Sequence, residues 1–94
     1  MDPIRARMLT YGYVLYGTGG GCEAFRRDDG DCYRLLTVFD DPSVPETLDD
    51  LVIVGAYRTA DDDAEPFAVT DVLPLRDLLA NGMLTSDVSQ WGAR

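Results

Sequence analysis

The chain has 94 residues, which is enough for one domain with a modest hydrophobic core. Seventeen Asp and Glu residues accompany eight arginines, with no lysine or histidine, so the formal net charge is −9. This charge opposes direct binding to nucleic acid or to an anionic membrane, and the lack of histidine excludes a Cys-His catalytic pair within the chain. No apolar run approaches a membrane span, and the first residues lack a signal-peptide core. We therefore expect a single soluble domain over residues 1–94 in the cytoplasm.

The first predicted element is a strand over residues 9–16. Its apolar side chains alternate, which puts Leu9, Tyr11, Tyr13 and Leu15 on one face. Residues 17–21 include four glycines and predict a loop. A phosphate-binding interpretation of this loop fails, because the loop has no lysine and leads into a strand rather than a helix.

A β-hairpin is predicted next, with strands over residues 22–27 and 31–39 around the turn Asp28-Asp29-Gly30. In the registers that this turn allows, Cys22 and Cys32 are four or five positions apart along the paired strands. At about 3.3 Å per residue the two thiols lie more than about 10 Å apart, which is beyond disulfide reach. We therefore expect free thiols and a reducing compartment.

The middle of the chain predicts a connection and then the most apolar strand. Residues 40–50 form the connection, in which Pro42 and Pro45 favour extended backbone outside any ladder. Residues 51–57 are apolar on both faces, which is typical of a central strand covered on both sides. Pro66 to Val69 is predicted as a short edge strand.

One helix is predicted near the end of the chain. Thr70 or Asp71 caps it, Pro74 suits its first turn and Asn81-Gly82 ends it. Its apolar stripe consists of Leu75, Leu78 and Leu79. Residues 85–94 form either one more helical turn or a frayed tail. The fold class is therefore α+β, with an antiparallel sheet of four to five strands and one C-terminal helix packed on one face.

Patterns that would support catalysis or a cofactor are weak. The run from Asp61 to Glu65 lacks the alternating acids and central glycine of a calcium-binding EF-hand loop. Two cysteines without a histidine fall short of a structural zinc site. Nothing singles out a buried pair of carboxylates for hydrolysis. We expect a non-catalytic protein with no catalytic residue, metal or cofactor.

Aromatic residues are concentrated in the first third of the chain. Residues 1–34 carry five carboxylates and five arginines, so this part is electrically neutral. Three interpretations remain open for its tyrosines: core packing, a contact with a partner protein, or a stacking platform for single-stranded nucleic acid, which the overall charge opposes. The residues that would make a secondary partner contact are Tyr11, Tyr13, Arg26 and Arg27.

Acidic residues are concentrated in the rest of the chain. Residues 35–94 carry twelve carboxylates and three arginines, and nine of those carboxylates lie within residues 40–65, where only Arg58 opposes them. Such a surface is either solvated, reflecting the composition of the host proteome, or occupies a nucleic-acid-binding site on another protein, because DNA presents a negative charge about every 1.7 Å. The two acidic loops flank one strand, so we expect them to lie near each other. The predicted partner-binding residues are Asp40, Asp41, Glu46, Asp49, Asp50, Asp61, Asp62, Asp63 and Glu65.

A single acidic α+β domain of this size, without a catalytic set, resembles the small inhibitors that phages encode against bacterial defence. The anti-CRISPR proteins are the best-known group, and several of them mimic DNA. The resemblance covers size, charge and architecture, and no motif carries it. It implies that the acidic loops face the basic nucleic-acid-binding site of a CRISPR effector or similar complex, in the cytoplasm of a bacterial host. The alternative is a small interaction or accessory module, monomeric or homodimeric, that binds a partner or itself through its neutral aromatic sheet face or edge.

Overall fold

The computed structural model describes residues 3–41, 43–59 and 66–87. It confirms the α+β class, with an antiparallel sheet and a C-terminal helix. Within these ranges the sheet has six strands, compared with the four to five predicted, and a second helix precedes it. No helix in the described ranges is long and apolar enough to cross a membrane. The elements are α1 (Pro3–Thr10), β1 (Val14–Gly19), β2 (Cys22–Asp29), β3 (Cys32–Val38), β4 (Leu51–Arg58), β5 (Ala68–Val69), β6 (Leu73–Pro74) and α2 (Leu75–Asn81).

The strands lie in the order β1-β2-β3-β4-β5, and β6 also pairs with β4. All pairs are antiparallel, and the register joins Leu15 to Phe25, Phe25 to Leu36 and Leu36 to Val54. Directly opposed residues share a face of the sheet, and successive residues alternate between faces. These four side chains therefore define one face, which we call the helix face.

Both helices pack on the helix face. The buried core joins Ile4 and Met8 of α1 and Leu75 and Leu78 of α2 to the strand residues Phe25, Leu36, Val52 and Val54. We call the opposite face the open face, because no helix of the described part of the chain packs on it.

The predicted strand over residues 9–16 is wrong. Residues up to Thr10 belong to α1, because Pro3 suits a first helical turn while Ile4 and Met8 form a buried i, i+4 pair. Leu9, predicted to share a strand face with Tyr13 and Leu15, lies in the helix and is 56% exposed. The strand begins at Val14 and takes in glycines that the sequence assigned to a loop.

The hairpin of β2 and β3 is confirmed, but its register differs from the prediction. Asp29 pairs with Cys32, so the turn consists of Gly30 and Asp31, with Gly30 at φ 76°. Cys22 and Cys32 begin adjacent antiparallel strands and therefore lie at opposite ends of this pair. Both are free thiols.

Strand β4 is central, as predicted, but helices cover only one of its faces. Val52, Val54 and Ala56 are completely buried on the helix face. Leu51, on the open face, is 49% exposed. Core burial therefore explains the apolar residues on the helix face of β4, but it does not explain the exposed Leu51 on the open face.

Helix α2 begins later than predicted. Thr70 does not cap it: its hydroxyl accepts a hydrogen bond from the backbone N–H of Val54, and its own N–H donates to the Val54 carbonyl. Pro74 pairs with β4 as part of β6 and immediately precedes the helix, without a side-chain cap. The predicted end is confirmed, because Gly82 adopts the left-handed conformation with φ 76°.

The start of the predicted tail is held in place. The carbonyl oxygens of Leu84 and Ser86 accept hydrogen bonds from Arg34 at 3.0 and 2.6 Å. Residues 84–87 are therefore docked against the helix face. The remaining predictions for the tail fall on residues 88–94, which lie outside the described residues.

Candidate functional site

An aromatic stack crosses the open face. The Arg26 guanidinium lies 4.7 Å from the Tyr16 ring centroid and 4.1 Å from that of Tyr33. The rings of Tyr33 and Tyr57 are stacked, with centroids 5.3 Å apart and an interplanar angle of 11°. The four side chains come from β1, β2, β3 and β4 in turn, so the stack spans the width of the main sheet.

Sheet register explains how the stack forms. Tyr33 is directly opposite Tyr57, whereas Arg26 pairs with Val14 on one side and Leu35 on the other. Arg26 therefore reaches Tyr16 and Tyr33 across the two diagonals, where long side chains can still touch. Its Nε also donates to Asp28 at 2.9 Å, which fixes the guanidinium between the rings.

A shallow depression of about 320 Å³ lies beside the stack. Ala24 and Gly55 are its small residues, and Tyr57 and Pro66 pack above Gly55. A Cβ at position 55 would lie 3.1 Å from both the Pro66 Cβ and the Tyr57 ring, so a larger residue would displace them. The depression is lined by Ala24, Leu35, Thr37, Ile53, Gly55, Tyr57, Pro66 and Val69.

In the stack, Tyr57 has a phenol pKa above its ordinary value. Partial burial of Tyr57, and to a smaller extent the neighbouring Tyr33, raise the pKa of the Tyr57 phenol. The phenol is therefore neutral at physiological pH. The charge of the stack itself comes from Arg26 alone.

Further apolar side chains are exposed on the same face. Val14 is 51% exposed and Tyr16 is 39% exposed. At the β5 edge, Phe67 is 40% exposed and carries the Arg58 guanidinium 4.5 Å from its ring centroid. The open face therefore presents exposed apolar and aromatic side chains around Arg26, and the contact between Phe67 and Arg58 lies at the β5 edge of the sheet.

The acidic connection between β3 and β4 forms a second concave surface, of about 740 Å³. Four of its carboxylates, Asp40, Asp41, Glu46 and Asp50, were predicted to bind a partner, and Glu23 of β2 joins them. Glu23 is distant in sequence from these carboxylates. It lies near them because β2 begins at the end of the sheet where β3 ends and β4 begins. This surface lies at the end of the sheet where β3 ends and β4 begins.

Two of the predicted residues, Asp49 and Asp50, hold this connection together. Asp50 accepts hydrogen bonds from the backbone N–H groups of Glu46 and Thr47, at 2.8 and 3.2 Å, and from the Thr47 hydroxyl at 2.9 Å. The bond from Glu46, followed by those from Thr47, lowers the pKa of Asp50. Asp49 forms an ion pair with Arg76 of α2. Asp49 and Asp50 therefore make contacts within the protein that stabilise the conformation of this loop.

The described residues show where the two predicted acidic loops join β4. Asp50 precedes β4, whereas Thr59 follows it and donates to the Asp31 carbonyl at 2.9 Å, beside the β2–β3 turn. The eight residues of β4 separate these ends by about 25 Å. Asp61, Asp62, Asp63 and Glu65 themselves lie outside the described residues.

Two of the predicted secondary contacts are used inside the protein. Tyr13 and Arg27 lie on the helix face, where both donate to the Leu84 carbonyl, at 2.7 and 3.3 Å, together with Arg34. Burial raises the pKa of Tyr13 to about 12, although Arg34 and Arg27 oppose that shift. Tyr11 is partly buried against the core.

Of the four predicted secondary contacts, Arg26 lies in the stack on the open face. Sequence reasoning did not select Tyr57 and did not separate Tyr16 and Tyr33 from the core aromatics. Period-2 alternation carried through the correct register would have placed all four on one face.

In the described ranges, no three Cys, Asp or Glu side chains are grouped so as to hold a metal ion. Comparison with known proteins adds no identity: no protein-family model, no curated protein and no solved structure matches this chain.

Proposed function

We propose that the protein is a non-catalytic binding protein that docks on a basic partner protein through the open face of its sheet. The stack of Tyr16, Arg26, Tyr33 and Tyr57 carries this proposal. Tyrosine and arginine are enriched among the residues that dominate binding energy at protein interfaces. A stack of them on a face that no helix of the described residues covers is more than core packing requires.

The stack is ordered before binding. Each ring or guanidinium contacts its neighbour, and Asp28 holds Arg26. Binding therefore immobilises few side chains, which leaves more of the contact energy as affinity. The depression next to the stack is the place for an apolar anchor from the partner.

The charge distribution supports a basic partner. Carboxylates are found at both ends of β4: Asp40, Asp41 and Glu46 at one end, and the exposed Asp28 and Asp31 at the other. An apolar centre with a charged rim is the usual anatomy of a protein interface. The acidic rim accelerates association with a basic surface and opposes nucleic acid, so the aromatic face serves protein contact.

A narrower form of the proposal names the partner as the nucleic-acid-binding site of a CRISPR effector or a similar bacterial defence complex. The protein would then act as an inhibitor in the bacterial cytoplasm. The acidic concave surface around Asp40, Asp41 and Glu46 supports this version, because gathered carboxylates offer a row of anions to a channel that binds phosphates.

Photocrosslinking tests the wider proposal. A photoreactive amino acid replaces Thr37 in the depression or, as a matched control, the exposed Thr10 of α1. We expect the Thr37 variant to crosslink a basic protein from bacterial lysate at low salt, and we expect high salt or Arg26→Ala to abolish the product. Equal crosslinking from both positions would contradict docking through the open face.

The narrower proposal needs a defined probe, namely purified CRISPR effector complex with labelled double-stranded DNA. We expect the protein to displace the DNA, and Arg26→Ala with Tyr33→Ala to weaken displacement at least about tenfold. Arg7→Ala, an exposed arginine on α1, is the control and should stay within about twofold. No displacement by the unmodified chain would reject the inhibitor version while leaving the crosslinking result to decide the wider one.

A further inference from the structure

We propose that the outer edge of β1 pairs with β1 of a second copy of this chain. Among the strands that the structure describes, β1 is the last on its side of the sheet. Its six residues, Val14–Gly19, include no charged residue and no proline. Native edge strands are usually blunted by charge, proline or extreme shortness. The other edge follows that rule, because β5 has only two residues and Pro66 lies just before it.

The charge distribution identifies the occupant as a second copy. A chain of net charge −9 repels itself except where its surface lacks carboxylates. Residues 3–22 carry Arg5 and Arg7 and no acid, and they contain α1 and β1. The β1 edge is therefore the place where two copies can approach with the least repulsion. The exposed Leu9 and Val14 add apolar surface beside it.

Face parity restricts the register. Odd-numbered residues of β1 lie on the helix face and even-numbered residues on the open face. Because opposed residues share a face, odd residues must pair with odd residues across the new edge. Pairing of β1 with β2 is regular from Val14 to Gly17 and shifts after Gly17. Among the odd-to-odd registers, Leu15 opposite Leu15 is the one that pairs Val14 with Tyr16 inside this regular stretch. The pairing is therefore antiparallel with Leu15 opposite Leu15.

This register places complementary side chains opposite each other. On the open face, Val14 of each copy faces Tyr16 of the other, and both side chains are exposed in the single chain. Pairs of a β-branched and an aromatic residue stabilise antiparallel strands. The two open faces then form one continuous surface with two aromatic stacks, so a partner with two sites gains from both.

The helix face supplies a matching ion pair. Gly17 pairs with Glu23 in its own sheet, and this register brings Gly17 next to Tyr13, the residue that directly precedes β1 in the second copy. Arg5 lies next to Tyr13, where both line a depression with Leu9, Val14 and Leu15. Gly17 has no side chain to separate the two groups, so Glu23 of one copy reaches Arg5 of the other. Neither Arg5 nor Glu23 has an ion pair among the described residues.

Sedimentation equilibrium of the purified chain over the micromolar range tests the pairing. We expect a concentration-dependent shift from the mass of one chain to that of two. Arg5→Glu and Glu23→Arg should each weaken the dimer about tenfold, and the double reversal should restore it to within about threefold of the unmodified chain. Arg7→Glu carries the same charge change on the same helix and should leave the dimer within about threefold.

A second substitution tests the edge itself. Val14→Lys puts a charge on an exposed edge position and should weaken the dimer more than tenfold while leaving the circular dichroism spectrum unchanged. A chain that stays monomeric throughout, or a dimer that ignores Val14→Lys, overturns the proposal. So does a double reversal no better than the single ones.

Discussion

The two faces of the sheet are built from alternate residues of the same strands, yet they hold opposite kinds of contact. On the helix face, Phe25 and Leu36 are almost completely buried beneath two helices. On the open face, Tyr16 and Tyr33 retain exposure and are ordered by Arg26. Stability is therefore concentrated on one face, and the other is available for recognition.

Neighbouring arginines show how complete the separation is. Arg27 points to the helix face and donates to the Leu84 carbonyl, together with Tyr13 and Arg34. Arg26, one residue earlier, lies between two aromatic rings on the open face. The same residue type thus serves the fold at one position and a surface at the next, because the side-chain period of a strand is two.

The largest expected difference between the faces is in stability. Phe25→Ala opens a cavity in the core and should lower the free energy of unfolding by about 3–5 kcal/mol. Tyr16→Ala removes a ring that is 39% exposed and should lower it by less than about 1.5 kcal/mol. Urea unfolding followed by circular dichroism measures both. Equal losses would show that the open face is part of the core.

Alkaline pH probes the buried hydrogen bonds of the helix face. The Tyr13 pKa is about 12 in the folded chain and 10.0 as its ordinary value. Above pH 10 the unfolded chain releases this proton while the folded chain retains it. Stability is therefore fully present below pH 10 and falls by about 2–3 kcal/mol as the pH rises to 12.

Tyr13→Phe is the control for this titration. It removes the hydroxyl that donates to Leu84, so it should cost about 1 kcal/mol at neutral pH. It should also flatten the alkaline decline, which can be followed by urea unfolding at a series of pH values. The chain has no lysine to confuse this range. If Tyr13→Phe loses as much unfolding free energy between pH 10 and pH 12 as the unmodified chain, the loss comes from other tyrosines and not from Tyr13.

The smallest expected effect on stability comes from the open face. Arg26→Ala should change the free energy of unfolding by less than about 1 kcal/mol, since cation–π contacts and ion pairs near the surface contribute little. Arg27→Ala should cost about 1 kcal/mol through its lost bond to Leu84. The partner that photocrosslinking identifies can be purified and its binding measured by calorimetry. Its affinity should weaken about tenfold for Arg26→Ala and stay unchanged for Arg27→Ala. Weaker partner binding for Arg27→Ala and unchanged binding for Arg26→Ala would contradict docking through the open face.

Local signals predicted the parts of the fold that depend on a few adjacent residues. The turn near Gly30 and the helix end at Gly82 were both confirmed, because each needs a positive φ that glycine readily adopts. The apolar run of β4 predicted a central strand for the same local reason. The stretch from Leu9 to Tyr16 misled, because α1 ends and β1 begins within it and a short alternation does not separate the two.

The candidate site was less predictable. Aromatic and acidic residues were both identified from the sequence, but not their grouping. Asp49 and Asp50 were expected to face a partner, and they bind Arg76 and the backbone of their own loop. Such contacts depend on where α2 packs and how the loop folds back, which adjacent residues do not reveal.

By itself, the sequence determined the fold class, the central strand, the turn glycines and the division into a neutral aromatic part and an acidic part. Only the tertiary structure decided which face each tyrosine occupies. A shift of one residue in strand register moves every side chain of a strand to the other face. That register is settled by pairing between strands distant in sequence. The open-face stack of Tyr16, Arg26, Tyr33 and Tyr57 therefore exists only once all four strands are aligned.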